Sequence, residues 1–125
     1  MNFNKAQLGA IEHKDGAMLV LAGPGSGKTA VITHRTKNLI TKHHVKPSEI
    51  LVITFTKAAA NEMKERFNSL MKVERVNVSF GTFHAVFFTI LKYAYRFTSA
   101  NIADESVRYG FIREILSYYR LEYKD

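Results

Sequence analysis

The segment with the clearest chemistry is AGPGSGKT, the eight residues from Ala22 to Thr29. Its glycines let the backbone curl so that successive N–H groups point inward at an anion, and the helix that begins near Lys28 presents its positive end to the same point. Lys28 is placed to reach the β- and γ-phosphates of a nucleotide, and the Thr29 hydroxyl to bind Mg²⁺. A site for a nucleoside triphosphate is therefore predicted. Its contacts come from the whole segment: Ala22, Gly23, Pro24, Gly25, Ser26, Gly27, Lys28 and Thr29.

The segment departs from the pattern GxxxxGK[ST] at its first position, where Ala22 stands in place of glycine. Three glycines remain to supply the unusual backbone angles. The context is the one that a phosphate loop requires, because a strand-like apolar run (17–21) precedes the segment and a helical pattern (30–40) follows it. A glycine-rich turn without a ligand is the alternative, and it leaves this context unexplained.

The composition is that of a globular chain and excludes several kinds of site. With 125 residues, of which 46% are hydrophobic and 23% charged, the chain is expected to form one domain or part of one. It contains no cysteine, which excludes disulfides and thiolate metal sites. The five histidines lack the spacing of metal ligands, so a metal site built by side chains alone is not expected.

Charge and targeting signals give two further expectations. The N-terminal residues show no basic segment leading into a long apolar one, and no run approaches the length that spans a membrane, so a cytoplasmic protein is expected. The net charge of +7 is spread over both halves of the chain. Such an excess is compatible with a polyanionic partner such as nucleic acid.

The periodicity of apolar residues divides the chain into alternating strands and helices. Strands are predicted at residues 17–21, 50–53 and 76–80. Helices are predicted at residues 4–13, 28–41, 57–70, 82–97 and 104–121, the last of them capped by Asp104. Three strand–helix repeats indicate an α/β fold with a parallel sheet, whose strand-to-helix junctions meet at the edge where ligands bind.

Hydroxyl and aromatic residues occupy the second and third of these junctions. They are Thr54, Phe55 and Thr56 at one, and Thr82, Phe83 and His84 at the other. A hydroxyl at a helix N-terminus suits a phosphate of a nucleic-acid strand, and an exposed ring suits stacking under a base. The structural alternative is that the threonines are ordinary helix caps and that the phenylalanines belong to the core.

Three segments in order carry a likeness that covers nearly the whole chain: AGPGSGKT, TFTKAAANEM from Thr54, and GTFH from Gly81. Together they resemble the start of a UvrD/Rep-type superfamily 1 helicase. The upstream FNKAQ is similar to that family's Q motif, with Phe3 in place of leucine. The resemblance implies a P-loop NTPase (RecA-like) fold, a three-layer α/β/α arrangement on a parallel sheet that is incomplete here and carries an extra C-terminal helix. It also implies a partial motor domain (1A) at residues 1–98 and the start of a helical subdomain (1B) at residues 99–125.

Roles for individual residues follow from the resemblance. It implies that Gln7 reads the adenine of ATP, that the loop from Gly25 to Thr29 holds the triphosphate and Mg²⁺, and that the two junctions contact single-stranded DNA. The implied DNA contacts are Thr54, Phe55, Thr82 and His84, to which the capping and stacking argument adds Thr56 and Phe83. The family often has arginine directly after the loop threonine, where this chain has Ala30, and Arg35 is no obvious replacement for it.

The carboxylates that hydrolysis of ATP requires are not recognisable in the sequence. Phosphoryl transfer requires carboxylates that hold the metal and position the water. The adjacent pair Asp104 and Glu105 does not follow a buried strand, so the start of a helix is the better interpretation. The resemblance therefore implies the N-terminal portion of an ATP-dependent DNA helicase or translocase that moves 3′–5′. An unpaired sheet edge and uncovered apolar surface are expected to make it self-associate.

Three alternatives stay open on the sequence. One is the motor part of a helicase-nuclease subunit, which only a longer sequence would distinguish. Another is a small-molecule kinase with a phosphate loop, which would leave both Thr-Phe junctions unexplained. The last is a non-catalytic module that binds nucleic acid.

Overall fold

The computed structural model describes residues 2–72 and 76–121, which form an α/β arrangement. The chain divides into two compact units, Met1–Val86 and Phe87–Asp125. The helices and strands in order are α1 (Lys5–Glu12), α2 (Lys28–Thr41), β1 (Leu51–Thr54), α3 (Lys57–Met71), β2 (Ser79–Thr82), α4 (Phe83–Tyr95) and α5 (Glu105–Tyr118), with single 3₁₀ turns at Pro47–Glu49 and Ser99–Asn101. The helices predicted from the sequence are therefore all present. The domain division after residue 98 stays a prediction.

A two-stranded parallel sheet, β1 beside β2, organises the first unit. Residues pair in register from Leu51 with Ser79 to Thr54 with Thr82. The chain between the two strands forms α3, which packs on both of them. The core lies under this crossover, where the fully buried Phe67 of α3 meets Ile50 and Val78. The predicted parallel sheet is thus confirmed for its second and third strands.

Local capping explains why the helices begin where they do. Asn4 and Gln7 form a reciprocal capping box at the start of α1, with both side-chain-to-backbone bonds at 2.9 Å.

Helix α2 buries two threonines, Thr33 and Thr36, whose hydroxyls donate to carbonyls one turn earlier. Because α2 packs on α1 on one side and on α3 on the other, it connects the N-terminal helix to the sheet layer.

The prediction of a first strand at residues 17–21 is wrong for this structure. The run forms no ladder with any described residue, and the side chains of Leu19 and Leu21 are 85% and 88% exposed. An apolar run becomes a strand only when a neighbouring strand satisfies its N–H and C=O groups, and the described ladder contains β1 and β2 without this run. The apolar run alone could not show this.

The third predicted strand begins later than expected, at Ser79 rather than at residue 76. The N–H of Val78 donates to the carbonyl of Val76 at 2.8 Å, a local bond that withdraws this donor from the ladder. The ladder starts where the N–H of Ser79 donates to the carbonyl of Ile50 at 3.1 Å. Val78 is nevertheless buried in the core, so the apolar pattern located the segment correctly and misplaced its hydrogen bonds.

The second unit holds α4 from Phe87 onward and α5. Asp104 caps α5 as predicted, because its carboxylate accepts from the N–H of Val107 at 2.9 Å. Large apolar side chains of both helices are exposed, among them Phe87, Ile90, Phe111 and Ile115. Across residues 2–72 and 76–121, no helix combines the length and apolarity needed to cross a membrane.

Candidate functional site

The backbone of the segment Ala22–Thr29 curls as a phosphate loop does. Gly25 and Gly27 have φ of +73° and +80°, a region that side chains with a Cβ rarely adopt. The turn is closed by Ser26, whose N–H and hydroxyl both donate to the carbonyl of Gly23, at 3.3 Å and 2.7 Å. These contacts fix the loop into one curl directly before α2.

The first N–H groups of α2 have no hydrogen-bond acceptor within the helix. Gly27 is the N-cap residue and has no side chain with which to cap the helix. The first intrahelical donor is Val31, whose N–H bonds the carbonyl of Gly27 at 3.0 Å. The N–H groups of Lys28, Thr29 and Ala30 precede it, and the positive end of the helix lies at the same point. This arrangement suits a bound phosphate.

The side chain of Lys28 closes over the loop. Its ammonium donates to the carbonyl of Gly23 at 2.7 Å and to that of Ala22 at 3.5 Å. Lys28 is exposed, so a phosphate entering the loop has access to the same ammonium. A lysine carries three donors and pairs with phosphate as a point charge. The exchange of these loop carbonyls for phosphate oxygens stays a prediction for Lys28.

Thr29 is the residue that could contact a metal ion. Within residues 2–72 and 76–121, no cluster of three His, Asp or Glu side chains could hold a metal. Mg²⁺ keeps several waters and takes one or two protein oxygens together with substrate phosphates. A single hydroxyl at the second position of α2 fits a magnesium ion that arrives with a triphosphate, and does not fit a resident metal centre.

The side chain of Gln7 contacts the loop formed by Ala22–Thr29. Its Nε2 donates to the carbonyl of Ser26 at 3.0 Å, while its Oε1 accepts from the N–H of Asn4 at 2.9 Å. A primary amide has two N–H donors and two acceptor lone pairs, so one donor and one lone pair of Gln7 remain for another partner. A role in reading adenine is compatible with this geometry and stays a prediction.

Helix α2 also holds the C-terminus of α1, a contact that the sequence did not reveal. The Arg35 guanidinium donates to the carbonyl of Ala10 at 2.9 Å and to that of His13, and Asn38 donates to Ile11 at 3.1 Å. Long side chains reach partners that no spacing rule identifies, so no pattern in the sequence indicated these bonds. A cavity of about 540 Å³ lies between α1, the phosphate loop and α2. Its polar lining comes from Asn4, Gln7, Ser26, Lys28 and Arg35.

The two Thr-Phe junctions lie side by side at the carboxyl edge of the sheet. Thr54 and Thr82 are directly paired in the ladder, and the next residues, Phe55 and Phe83, bring their ring centroids to 5.5 Å with 53° between the ring planes. Phe55 is 87% exposed and Phe83 42% exposed. The interpretation of these rings as core residues is therefore wrong, and the edge presents an aromatic surface to solvent.

The threonines at this edge do cap the helices. The hydroxyl of Thr56 accepts from the N–H of Ala59 at 3.1 Å, and that of Thr82 accepts from the N–H of Ala85 at 3.2 Å. His84 is exposed in the first turn of α4, beside Phe83. The structure thus assembles all six predicted junction residues at one edge, and their contact with DNA stays a prediction.

Asp104 and Glu105 do not form a catalytic carboxylate pair. The carboxylate of Asp104 accepts from the N–H of Val107 and from the hydroxyl of Ser106, and these two bonds lower the pKa of Asp104 below its ordinary value. Glu105 makes a 3.4 Å ion pair with Arg108 on the surface of α5. The prediction that these residues begin a helix is confirmed.

Comparison with known proteins identifies relatives of the chain. The UvrD/REP helicase N-terminal domain matches residues 3–123. The chain is 51% identical over 81 residues to the ATP-dependent DNA helicase SRS2 of Saccharomyces cerevisiae, covering 62% of the chain and 7% of that protein. It is 45% identical over 89 residues to the ATP-dependent DNA helicase PcrA of Bacillus subtilis, covering 71% of the chain and 12% of PcrA. A probable DNA helicase II homolog of Rickettsia conorii is 45% identical over 89 residues, which is 71% of the chain and 13% of the homolog. The matched part of the chain spans 7 to 13% of the length of these relatives.

Proposed function

The chain belongs to the UvrD/REP helicase N-terminal domain family, and from this premise we propose that it is the part of an ATP-dependent 3′–5′ DNA helicase or translocase that binds ATP and contacts single-stranded DNA. The relatives are named as ATP-dependent DNA helicases, which supports the proposal. The matched part of the chain spans 7% and 12% of the length of these two relatives, so the helicase activity of a whole protein is itself part of the proposal.

The pair of exposed rings at the sheet edge carries the DNA half of the proposal. Phe55 and Phe83 follow directly paired strand residues, and each sits beside the start of a helix. A base stacked on such a ring gains about 1 to 3 kcal/mol, and every base has a face to offer. A small-molecule kinase has no use for this surface, so the observation favours a nucleic-acid strand as the second ligand.

The curled loop carries the ATP half. Two glycines at positive φ, three unshared N–H groups at the start of α2 and the Lys28 ammonium surround a space suited to a triphosphate. In this proposal the Thr29 hydroxyl joins the magnesium ion that accompanies the phosphates, and Gln7 reads the adenine. Magnesium would supply charge neutralisation at the phosphates, as in other nucleotide sites of this kind.

Binding and hydrolysis are separate parts of this proposal. The adjacent acidic residues Asp104 and Glu105 do not serve hydrolysis in this proposal. Asp104 caps α5, and Glu105 pairs with Arg108 on its surface. We assign the catalytic carboxylates to other parts of the full protein. In the same proposal, β1 and β2 are part of a larger RecA-like sheet in three layers, residues 1–98 belong to the motor domain and residues 99–125 begin the helical subdomain.

Replacement of Lys28 by alanine tests the ATP half. Lys28→Ala removes the ammonium that is proposed to pair with the phosphates, so it should abolish ATP binding. The described bonds of this ammonium are to two loop carbonyls and to no helix or strand, so the circular dichroism spectrum should stay unchanged. Lys64→Ala, an exposed lysine on α3, is the matched control and should bind ATP normally. Calorimetric titration with ATP and Mg²⁺ measures both. Equal affinity in the Lys28 variant and the control would overturn the assignment of the loop.

Self-association of the chain is part of the same proposal. In the described sheet each strand pairs on one side only, and apolar residues 18–21 are exposed. Unpaired edges and apolar surface favour association between copies. Sedimentation velocity should detect dimers or larger species, and a monodisperse monomer would contradict this part.

A further inference from the structure

Helix α1 is attached to the nucleotide site at both of its ends. Near its N-terminus, Gln7 donates to the Ser26 carbonyl of the phosphate loop at 3.0 Å. At its C-terminus, Arg35 donates to the carbonyls of Ala10 and His13. With Asn38 bonding Ile11, the last carbonyls of α1 are held by side chains of α2. Contacts therefore run from α2 to α1, and from α1 back to the loop that precedes α2.

A helix as short as α1 depends on such attachments. It has eight residues, and its buried side chains are those of Ala10 and Ile11. An isolated helix of this length is marginal in water, so packing and polar contacts decide its position. The guanidinium of Arg35 meets the negative end of the helix dipole and makes charge-assisted bonds, the strongest of the contacts available there.

Arg35 also lies on the helix that carries the nucleotide contacts. It follows Lys28 by two turns of α2, so the two residues lie on one side of the helix. Arg35, Gln7, Ser26 and Lys28 all line the cavity of about 540 Å³ beside the loop. The described bonds of the guanidinium are to the backbone of α1, and Gln7 is the residue of α1 whose side chain bonds the loop.

We propose that Arg35 is a positioning residue for nucleotide binding: by holding the C-terminus of α1, it sets Gln7 against the carbonyl of Ser26 and so keeps the phosphate loop curled. This inference rests on the proposed binding of ATP at that loop. It differs from a direct contact between Arg35 and the nucleotide, because its effect passes through Gln7. Because the contact between Gln7 and Ser26 joins two protein groups, it should also support the binding of a phosphate ligand that has no base.

A double-mutant cycle separates the two possibilities. Arg35→Ala should weaken the binding of ATP, and of inorganic tripolyphosphate, by about tenfold, the size expected for a lost hydrogen bond to a charged group. In a Gln7→Ala background the same change should have less than about a twofold effect, because the link is already broken. Arg35→Lys should recover part of the affinity, since an ammonium still donates to the helix carbonyls.

Two controls make the result specific. Arg66→Ala removes an exposed arginine that pairs with Glu62 within α3, and it should bind both ligands like the unmodified chain. Urea unfolding of every variant reports the loss of stability, which a purely structural role would produce without any dependence on Gln7. Lys28→Ala serves as the reference for loss of the phosphate site.

The outcomes are distinguishable. If Lys28→Ala abolishes binding while Arg35→Ala has the same effect with and without Gln7, or no effect in either background, the inference is overturned and the proposed function stands. A lysine variant that binds as weakly as the alanine variant would show that a positive charge near the end of α1 is not sufficient, and would overturn the part of the inference that rests on the helix dipole. If Lys28→Ala leaves the affinity for ATP unchanged, the proposed function is wrong, and this inference, which rests on it, is wrong as well.

Discussion

Phe55 and Phe83 are neighbours because the residues before them, Thr54 and Thr82, are paired in a parallel ladder. Their ring centroids lie 5.5 Å apart with 53° between the ring planes, so the two rings are tilted and are not stacked face to face. The contact itself contributes about 0.5 to 1.5 kcal/mol beyond burial. The exposure of Phe55, at 87%, leaves most of its surface to a ligand.

Removal of the Phe55 ring should weaken binding to single-stranded DNA. We expect Phe55→Ala to lower the affinity for an oligothymidylate by about tenfold or more, as lost base stacking implies. Phe55→Tyr keeps the ring and should bind as before. Tyr118→Ala removes a similarly exposed ring, 80% accessible, from α5 and serves as the matched control. Fluorescence anisotropy of a labelled oligonucleotide measures all three.

The salt dependence of the same variants identifies the kind of contact. A ring releases no counterions, so Phe55→Ala should shift the plot of log affinity against log salt downward without changing its slope. A changed slope, or an equal loss in the Tyr118 control, would contradict stacking at this edge.

Alanine at position 27 should disturb the phosphate loop, whereas alanine at position 110 should not. Gly27 has φ of +80°, and a Cβ there would lie 3.3 Å from Nε2 of Gln7. The left-handed backbone alone costs a residue with a side chain about 1 to 2 kcal/mol. We expect Gly27→Ala to bind ATP at least about tenfold more weakly, since the strain falls on the loop and on its contact with Gln7.

Gly110 is the matched control for that substitution. It lies inside α5, where an added Cβ meets nothing within 4 Å. Alanine is the better helix former by about 1 kcal/mol, so Gly110→Ala should raise the stability of the helix and leave ATP binding intact. Calorimetry and urea unfolding give the two readouts. Normal ATP binding by the Gly27 variant would show that the loop tolerates a side chain there.

Two phenylalanines of the first unit should differ sharply in their contribution to stability. Phe67 is fully buried against Ile50 and Val78, and its ring lies 5.6 Å from that of Phe80. Phe67→Ala should therefore lower the free energy of unfolding by about 3 to 5 kcal/mol. Phe55→Ala makes the same chemical change at an exposed position and should cost no more than its ring contact with Phe83, about 0.5 to 1.5 kcal/mol. Similar losses in urea unfolding would contradict the described core.

The sequence predicted those features that depend on local pattern. The apolar stripe and the capping threonine located α3, and the glycine spacing located the curled loop. It could not decide features that depend on distant partners. Whether residues 17–21 form a strand depends on a neighbouring strand, and whether Phe55 is core or surface depends on the register between β1 and β2. The reach of Arg35 to the carbonyls of α1 is of the same kind.

Acid should weaken the start of α5 through Asp104. Its carboxylate accepts from the N–H of Val107 and the hydroxyl of Ser106, which hold the pKa below the ordinary value of 3.8. A carboxyl group whose pKa is lowered by folding stabilises the folded state above its unfolded pKa. That contribution is lost as the pH falls through the lower, folded value. We therefore expect the amide resonance of Val107 to titrate with a midpoint below 3.8.

Asp104→Asn isolates the charge from the cap. Asparagine still offers an oxygen to the N–H of Val107, so the helix should keep its first turn while the Val107 resonance loses its titration step. Asp104→Ala removes the cap as well, and α5 should fray at every pH. A midpoint at or above 3.8, or a titration step that persists in the asparagine variant, would show that Asp104 does not accept these hydrogen bonds in solution.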